Sequence, residues 1–166
     1  MMIMPNSYYS KETYEKMKKS YKLWLISAIL IIFMGLLFFG LSAFLINNKT
    51  VLLIKIVDAI ILSLALIAGA IIILTIYVPL KRRNQFLYRL LTVERFEGML
   101  TIKEIREPYL VRKSILAYEI VAIDDEGKTI NCFYEANLPV DFEVDDKLEV
   151  TLAANFIVDI KEANNE

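Results

Sequence analysis

Histidine is absent from this sequence, cysteine occurs once, and only five glycines and four prolines are present. Without histidine the chain lacks the usual general base near neutral pH and the commonest metal ligand. The single cysteine, Cys132, excludes an intramolecular disulfide framework, so nothing points to an oxidising compartment. No G-x-S-x-G, G-x-G-x-x-G or P-loop pattern occurs among so few glycines. Enzymatic chemistry is missing its ordinary parts. The expectation is a non-enzymatic protein with no cofactor and no catalytic, cofactor-binding or metal residue.

What the chain has in excess is apolar sequence. Hydrophobic residues make up 57% of it, which excludes an ordinary soluble domain. Two runs, Leu23–Ile46 and Val51–Leu80, lie back to back. The first carries no charge and only Ser27 and Ser42 as small polar groups; the second is uncharged from Ala59 onward. Runs of roughly 22–24 residues make about 33–36 Å of helix, enough for a hydrocarbon core of about 30 Å. Backbone groups in lipid must bond internally, so such runs are helices.

Lysine and arginine flank the pair on its outer sides: Lys11, Lys16, Lys18, Lys19 and Lys22 before it, Lys81, Arg82, Arg83 and Arg89 after it. The connection Asn47–Thr50 holds only Lys49, with Lys55 just beyond. That bias predicts a two-pass protein of the cell membrane with both termini cytoplasmic and a tight external turn. A cleaved signal peptide fits poorly, because the first run is too long for its apolar region and no A-x-A site follows. Asn48-Lys49-Thr50 is formally a glycosylation acceptor, but it lies too close to the bilayer and reads as a polar turn.

Ser10 caps a helix over Lys11–Tyr21, with Glu12 favourable in its first turn. Tyr14, Met17 and Tyr21 share one face and Trp24 extends it, which predicts an interfacial anchor. Within the first run, Ala28, Gly35 and Ser42 recur every seven residues. The second offers Ala59, Ser63 and Ala70 on one side and Ala65 with Gly69 on another. Small residues let helix backbones approach closely. One face is expected to close the hairpin, leaving the Ala65-x-x-x-Gly69 face for a partner or a second copy. Lys55 and Asp58, at i and i+3 near the external interface, are expected to pair and to snorkel. Pro79 should kink or end the second helix. Beyond it, Lys81–Phe96 suits a juxtamembrane helix, with Phe86, Leu87, Leu90 and Leu91 facing lipid or the next domain. Its basic residues Lys81, Arg82 and Arg83 favour anionic lipid.

From Gly98 the period changes to two. Leu100 and Ile102 alternate with Thr101 and Lys103; Leu116, Tyr118, Ile120 and Ala122 alternate with Ala117, Glu119, Val121 and Ile123. Asp124–Lys128 reads as a hairpin turn, with Gly127 supplying positive φ. Ile130, Cys132 and Tyr134 follow, then Leu148, Val150 and Leu152, a turn at Ala153–Asn155, and Phe156, Val158 and Ile160. Five strands of this size predict a small antiparallel β-barrel, OB-like or SH3-like, since closure removes edges. Pro139 and the Asp141–Asp145 alternation argue against a helix in the Glu135–Val144 link.

Charge divides the chain. Residues 1–96 carry 12 Lys/Arg against 4 Asp/Glu, and residues 97–166 carry 7 against 16. An acidic β-domain repels phosphate, so nucleic acid is not an expected partner. Asp124/Asp125/Glu126 and Asp141/Glu143/Asp145/Asp146 read as solvated turn charges. The second cluster begins like a calcium loop but has Asp146 where glycine is needed and Leu152 where the bidentate glutamate belongs. Cys132 falls on a core face and reads as an inert small hydrophobe.

A membrane hairpin followed by a five-stranded cytoplasmic barrel resembles the short NfeD-type bacterial membrane proteins. The stretch that carries the resemblance is Phe142–Val150 with Asn155-Phe156-Ile157-Val158, where related barrels have a Gly-Asp turn and a valine-rich strand. Asp145 stands here where that pattern places glycine, and only Gly98 represents its glycine-rich start. The resemblance implies a membrane accessory or scaffold role with no catalytic residues to carry over.

The expected organisation is therefore a membrane α+β chain. It comprises a cytoplasmic amphipathic segment (1–22), a first transmembrane helix (23–46), an external turn (47–55) and a second helix (56–80). A juxtamembrane helix (81–96), a β-barrel domain (97–162) and a tail (163–166) follow. Its partners are the lipid bilayer and an unidentified membrane or cytoplasmic protein. Two roles stand side by side: display of the β-domain for protein interaction, or action through the hairpin as a transporter accessory subunit or homo-oligomer.

Overall fold

The computed structural model describes residues 9–42, 44, 51–111 and 115–162. The turn expected at Asn47–Thr50, its Asn48 motif, the start of the 1–22 segment and the 163–166 tail lie outside them. The chain forms two compact units: Met17–Lys81, and Met1–Lys16 together with Arg82–Glu166.

Helix α1 spans Lys11–Ser42 without a break. Ser10 starts it, its Oγ accepting the Thr13 N–H at 3.1 Å. The expected amphipathic segment therefore continues into the first apolar run with no helix break between them. Helix α2, Val51–Ile72, runs into a π-helical turn at Ile73–Tyr77 and then helix α3, Val78–Thr92. Pro79 neither ends the helix nor sits at its break. A proline ring clashes with the carbonyl four residues back, here that of Thr75, in the middle of the π turn. The wider turn, closed by the Val78 N–H on the Ile73 carbonyl, accommodates it. Both apolar helices are long enough to cross a membrane, and side chains such as Phe33, Met34, Leu64 and Ile67 are more than half exposed.

The second unit is built on a six-stranded mixed sheet. Its strands are β1 (Arg95–Ile105), β2 (Tyr109–Val111), β3 (Ile115–Asp124), β4 (Thr129–Glu135), β5 (Lys147–Ala153) and β6 (Phe156–Glu162). The order is β1-β5-β6-β4-β3-β2, and β1 also pairs with β3, which closes a ring of five strands. Two features depart from the five antiparallel strands expected. The short β2 is an addition, and β4 meets β6 in parallel through the single pair Phe133↔Phe156. Strand β1 serves both sides of the ring, pairing β5 from Arg95 to Thr101 and β3 from Leu100 to Ile105. A bulge at Lys103 lets it bend between them. It also begins earlier than the periodicity suggested, so Phe96 is a strand residue and α3 stops at Thr92.

The ring interior takes Leu100, Ile102, Ile120, Ala122, Cys132, Tyr134, Val150 and Ile157, all nearly inaccessible. On the face opposite Cys132, Phe133 and Phe156 stack at 5.3 Å and are covered by Phe86 of α3, 4.7 Å from Phe156. Leu87 and Leu90 are buried on the same helix. Each such side chain contributes about 1.5–3 kcal/mol. The apolar face of α3 therefore packs on the β-domain. Cover of Phe156 by Phe86 and a bulge at Val158, where the β5–β6 register slips, break the alternation in β6, so Phe156, Ile157 and Val158 are all buried where alternation alone predicted every second residue. The start of β3 has the opposite parity to that expected: Ile115 and Ala117 are inside and Leu116 is 41% exposed.

Turn chemistry follows the residues. Gly127 has φ +80°, and Asp124 Oδ1 accepts the Glu126 and Lys128 amides at 3.1 and 2.8 Å. Ala154 and Asn155 both have positive φ, as a two-residue hairpin turn requires. The 136–146 link contains no helix; Leu138 and Phe142 tuck inward, and Tyr134 Oη donates to the Pro139 carbonyl at 2.7 Å.

Candidate functional site

Within the Met17–Lys81 unit the two apolar helices meet along a narrow antiparallel seam. Ala28, Gly35 and Ser42 are buried on α1. A Cβ added to Gly35 would lie 2.5 Å from that of Ala65, and one added to Gly69 would lie 2.7 Å from the Ile32 side chain. The Ala65/Gly69 face, expected to stay open to a partner, is the one that closes the hairpin. Ala59, Ser63 and Ala70 instead point outward.

Asp58 is 5% exposed and accepts a hydrogen bond from Ser42 Oγ at 2.5 Å. Its other oxygen, Oδ1, is buried with no hydrogen-bond partner among the described residues. The pairing expected with Lys55 is not formed among the described residues, because Asp58 faces the α1 seam while Lys55 is exposed. Two further hydroxyls are satisfied within their own helices: Ser27 Oγ donates to the Leu23 carbonyl at 3.0 Å and Thr75 Oγ1 to that of Ile71 at 2.7 Å.

The residues expected at the membrane interface divide between the units. In the hairpin, Tyr21 meets Tyr77 edge-on at 5.9 Å, Lys81 Nζ lies 5.5 Å from the Tyr77 ring centre, and Trp24 is exposed. In the β-containing unit, Tyr14 packs on Tyr88 at 5.7 Å, and its carbonyl accepts a bond from Asn84 Nδ2 at 2.8 Å. Arg82 is exposed. Arg83 turns to Glu135 at the end of β4, at 2.5 Å. Glu135, 1% exposed, also accepts the Tyr9 hydroxyl at 2.9 Å. Burial, reinforced by the adjacent Glu135 carboxylate, drives the Tyr9 hydroxyl pKa far above its ordinary value. This junction fastens the N-terminal residues and α3 to the sheet. Periodicity could not reveal it, since its three members come from residues 9, 83 and 135; the one sequence signal is a glutamate ending an otherwise apolar strand.

Cys132 is fully buried, its Sγ 3.6 Å from the Ile120 carbonyl, and burial lifts its pKa to about 12. A thiol so protonated is a poor nucleophile. Among the described residues no three His, Cys, Asp or Glu side chains are grouped to hold a metal ion. Asp145 adopts φ +75°, the conformation that favours glycine. It is steadied by Lys103 Nζ on its Oδ1 at 2.7 Å and by its own N–H on the Ile102 carbonyl at 2.7 Å.

One concavity stands out in this unit, a groove of about 1050 Å³ between the start of β1, the β3–β4 hairpin and the β5–β6 turn. Phe96, 51% exposed, and Ile130 line it, with Val93 at its end. Glu94, Asp125 and Glu126 stand around it, with Lys128 the one basic residue in the lining.

No known protein family, curated protein or solved structure matches this chain.

Proposed function

We propose that this chain is a two-pass membrane protein, both ends cytoplasmic, that displays an acidic β-domain to a protein partner and catalyses no reaction itself. The observation that carries the reading is the contrast between the two units. One is a hairpin whose apolar side chains point outward, as a lipid environment favours. The other is a packed β-domain, several of whose polar groups are engaged in turns and anchoring, with a groove on its surface. In this reading the five-strand ring is a closed barrel of OB type, in line with the NfeD-like layout. Lysines on the outer flanks of the hairpin support the orientation. The net negative domain would be held off an anionic inner leaflet, which leaves its surface accessible.

The test is photo-crosslinking in native membranes, with the reactive group at Tyr109 or Leu110 on the β-domain or at Leu64 or Ile67 on the hairpin. All four are exposed. Protein adducts from the β-domain positions are expected, and adducts confined to the hairpin positions would overturn the display reading. A second reading makes the hairpin the active part, as an accessory subunit or homo-oligomer. It is favoured by the exposed small-residue face of Ala59, Ser63 and Ala70, which offers close approach to another helix.

A further inference from the structure

Strand β1 has a strand on both sides only at Leu100 and Thr101, where its pairing passes from β5 to β3. From Arg95 to Met99 it pairs with β5 alone, because β3 ends opposite Leu100 at Asp124 and turns away. Among the described residues, five positions of this sheet edge are thus without a strand neighbour on one side. An open edge is a template for another extended chain. The groove lies along this edge. Its floor is apolar: the Phe96 ring lies over Gly98, 2.9 Å from where a Cβ would be, and half of Phe96 remains exposed.

The charge around the groove selects the occupant. Glu94, Asp125 and Glu126 are exposed and form no ion pair among the described residues. Asp124 spends one oxygen on the hairpin turn, and Glu97 lies in the field of Lys161. An acidic or neutral strand would bring like charges together or leave three carboxylates without a counter-charge. A strand with alternating basic and apolar residues presents cations to the rim on one face and an anchor to Phe96 on the other.

From this edge, floor and rim we propose that the Arg95–Met99 edge of β1 is a docking site for a basic, extended segment of a partner protein, which adds to the sheet as a further strand. The proposal rests on the display reading and assigns it a face. It also assigns the acidic residues a role beyond solvation of the turn. Guarding the edge against any pairing is the competing role for such charges, and the test separates the two.

The probe is a fluorescent Lys-Val-Lys-Val-Lys-Val-Lys peptide, titrated by anisotropy against the full-length protein in mild detergent at low salt. Saturable binding is expected, weakened about tenfold or more in the Glu94→Lys/Asp125→Lys/Glu126→Lys variant. The same peptide N-methylated at every residue keeps its charge but can donate no ladder hydrogen bond from either edge, and it should not bind. New hydrogen-exchange protection should appear at Arg95–Met99. Equal binding of the N-methylated peptide would reduce the site to nonspecific electrostatics and overturn the proposal. No saturable binding of the parent peptide would show that the carboxylates only guard the edge, and would also overturn it. If either happens while crosslinks still form from Tyr109 or Leu110, the display reading stands and this face is wrong. If those crosslinks fail as well, the display reading falls with it.

Discussion

The Arg83–Glu135 junction gives the sharpest energetic test of how the second unit is held together. Glu135 has 2% of its side chain exposed and Arg83 has 24%, so the two partners are not equally replaceable. Replacing Arg83 by Met leaves a buried carboxylate supported by the Tyr9 hydroxyl, and breaking one side of a buried pair costs about 3–5 kcal/mol. That is a large share of a stability of about 5–15 kcal/mol. Glu135→Gln removes the charge instead. Arg83 can then reach water, and the amide oxygen can still accept from Tyr9, so about 1–2 kcal/mol is lost. In Arg83→Met/Glu135→Gln no buried charge remains, and the double variant should be less damaged than the two singles together by about 2 kcal/mol. Urea titration of the full chain in mild detergent, followed by hydrogen exchange at the β4 amides, measures all four proteins. Additivity within about 0.5 kcal/mol would refute the reasoning, as would an Arg83→Met variant as stable as Glu135→Gln.

At the helix seam, Gly35→Leu should cost about 1–3 kcal/mol by forcing α1 off Ala65. Gly40→Leu, whose added Cβ meets nothing within 4 Å, should stay within about 0.5 kcal/mol; equal losses in an SDS unfolding titration would remove the seam. Cys132 rises from 9.0 to about 12 and Tyr134 from 10.0 to about 12, burial being the larger cause in each, and Tyr9 also shifts upward. Raised values mean that the unfolded chain releases these protons first, so stability should hold below about pH 9 and fall as pH climbs toward 12. An alkaline scan of β-sheet ellipticity showing loss already at pH 8 would contradict this. Asp145→Gly relieves a left-handed aspartate but removes an exposed ion pair with Lys103, a pair worth about 0–1 kcal/mol. The variant should be equal to or slightly more stable than the parent, by less than about 1 kcal/mol, in the same urea assay.

Much of the architecture is legible because its signals are local. Long apolar runs of this length form helices, and Asp124–Lys128 and Ala153–Asn155 carry their turns in their own residues. What escaped the sequence depends on neighbours far along the chain. The face of Phe156 is covered by Phe86 of α3, and the inward parity of β3 changes between Ala117 and Ile120; neither leaves a periodic mark. The choice of Ala65 and Gly69 over Ser63 and Ala70 for the seam depends on which small residues meet Gly35 and Ala28 at the crossing of the two helices. Lys55 and Asp58 looked paired by spacing alone, yet Ser42 on the other helix offered Asp58 a buried donor. The groove was divided in sequence among an acidic turn, a strand start assigned to a helix, and a second turn. Only the closure of the ring brings them together.

The central claim is that the two apolar helices cross the bilayer and leave the acidic β-domain on the cytoplasmic side. Labelling an Asp125→Cys variant with a membrane-impermeant maleimide tests it most directly, because buried Cys132 stays silent and Asp125 lies at an exposed hairpin tip. The account predicts labelling in inverted vesicles and none in intact cells. Labelling in intact cells would contradict it.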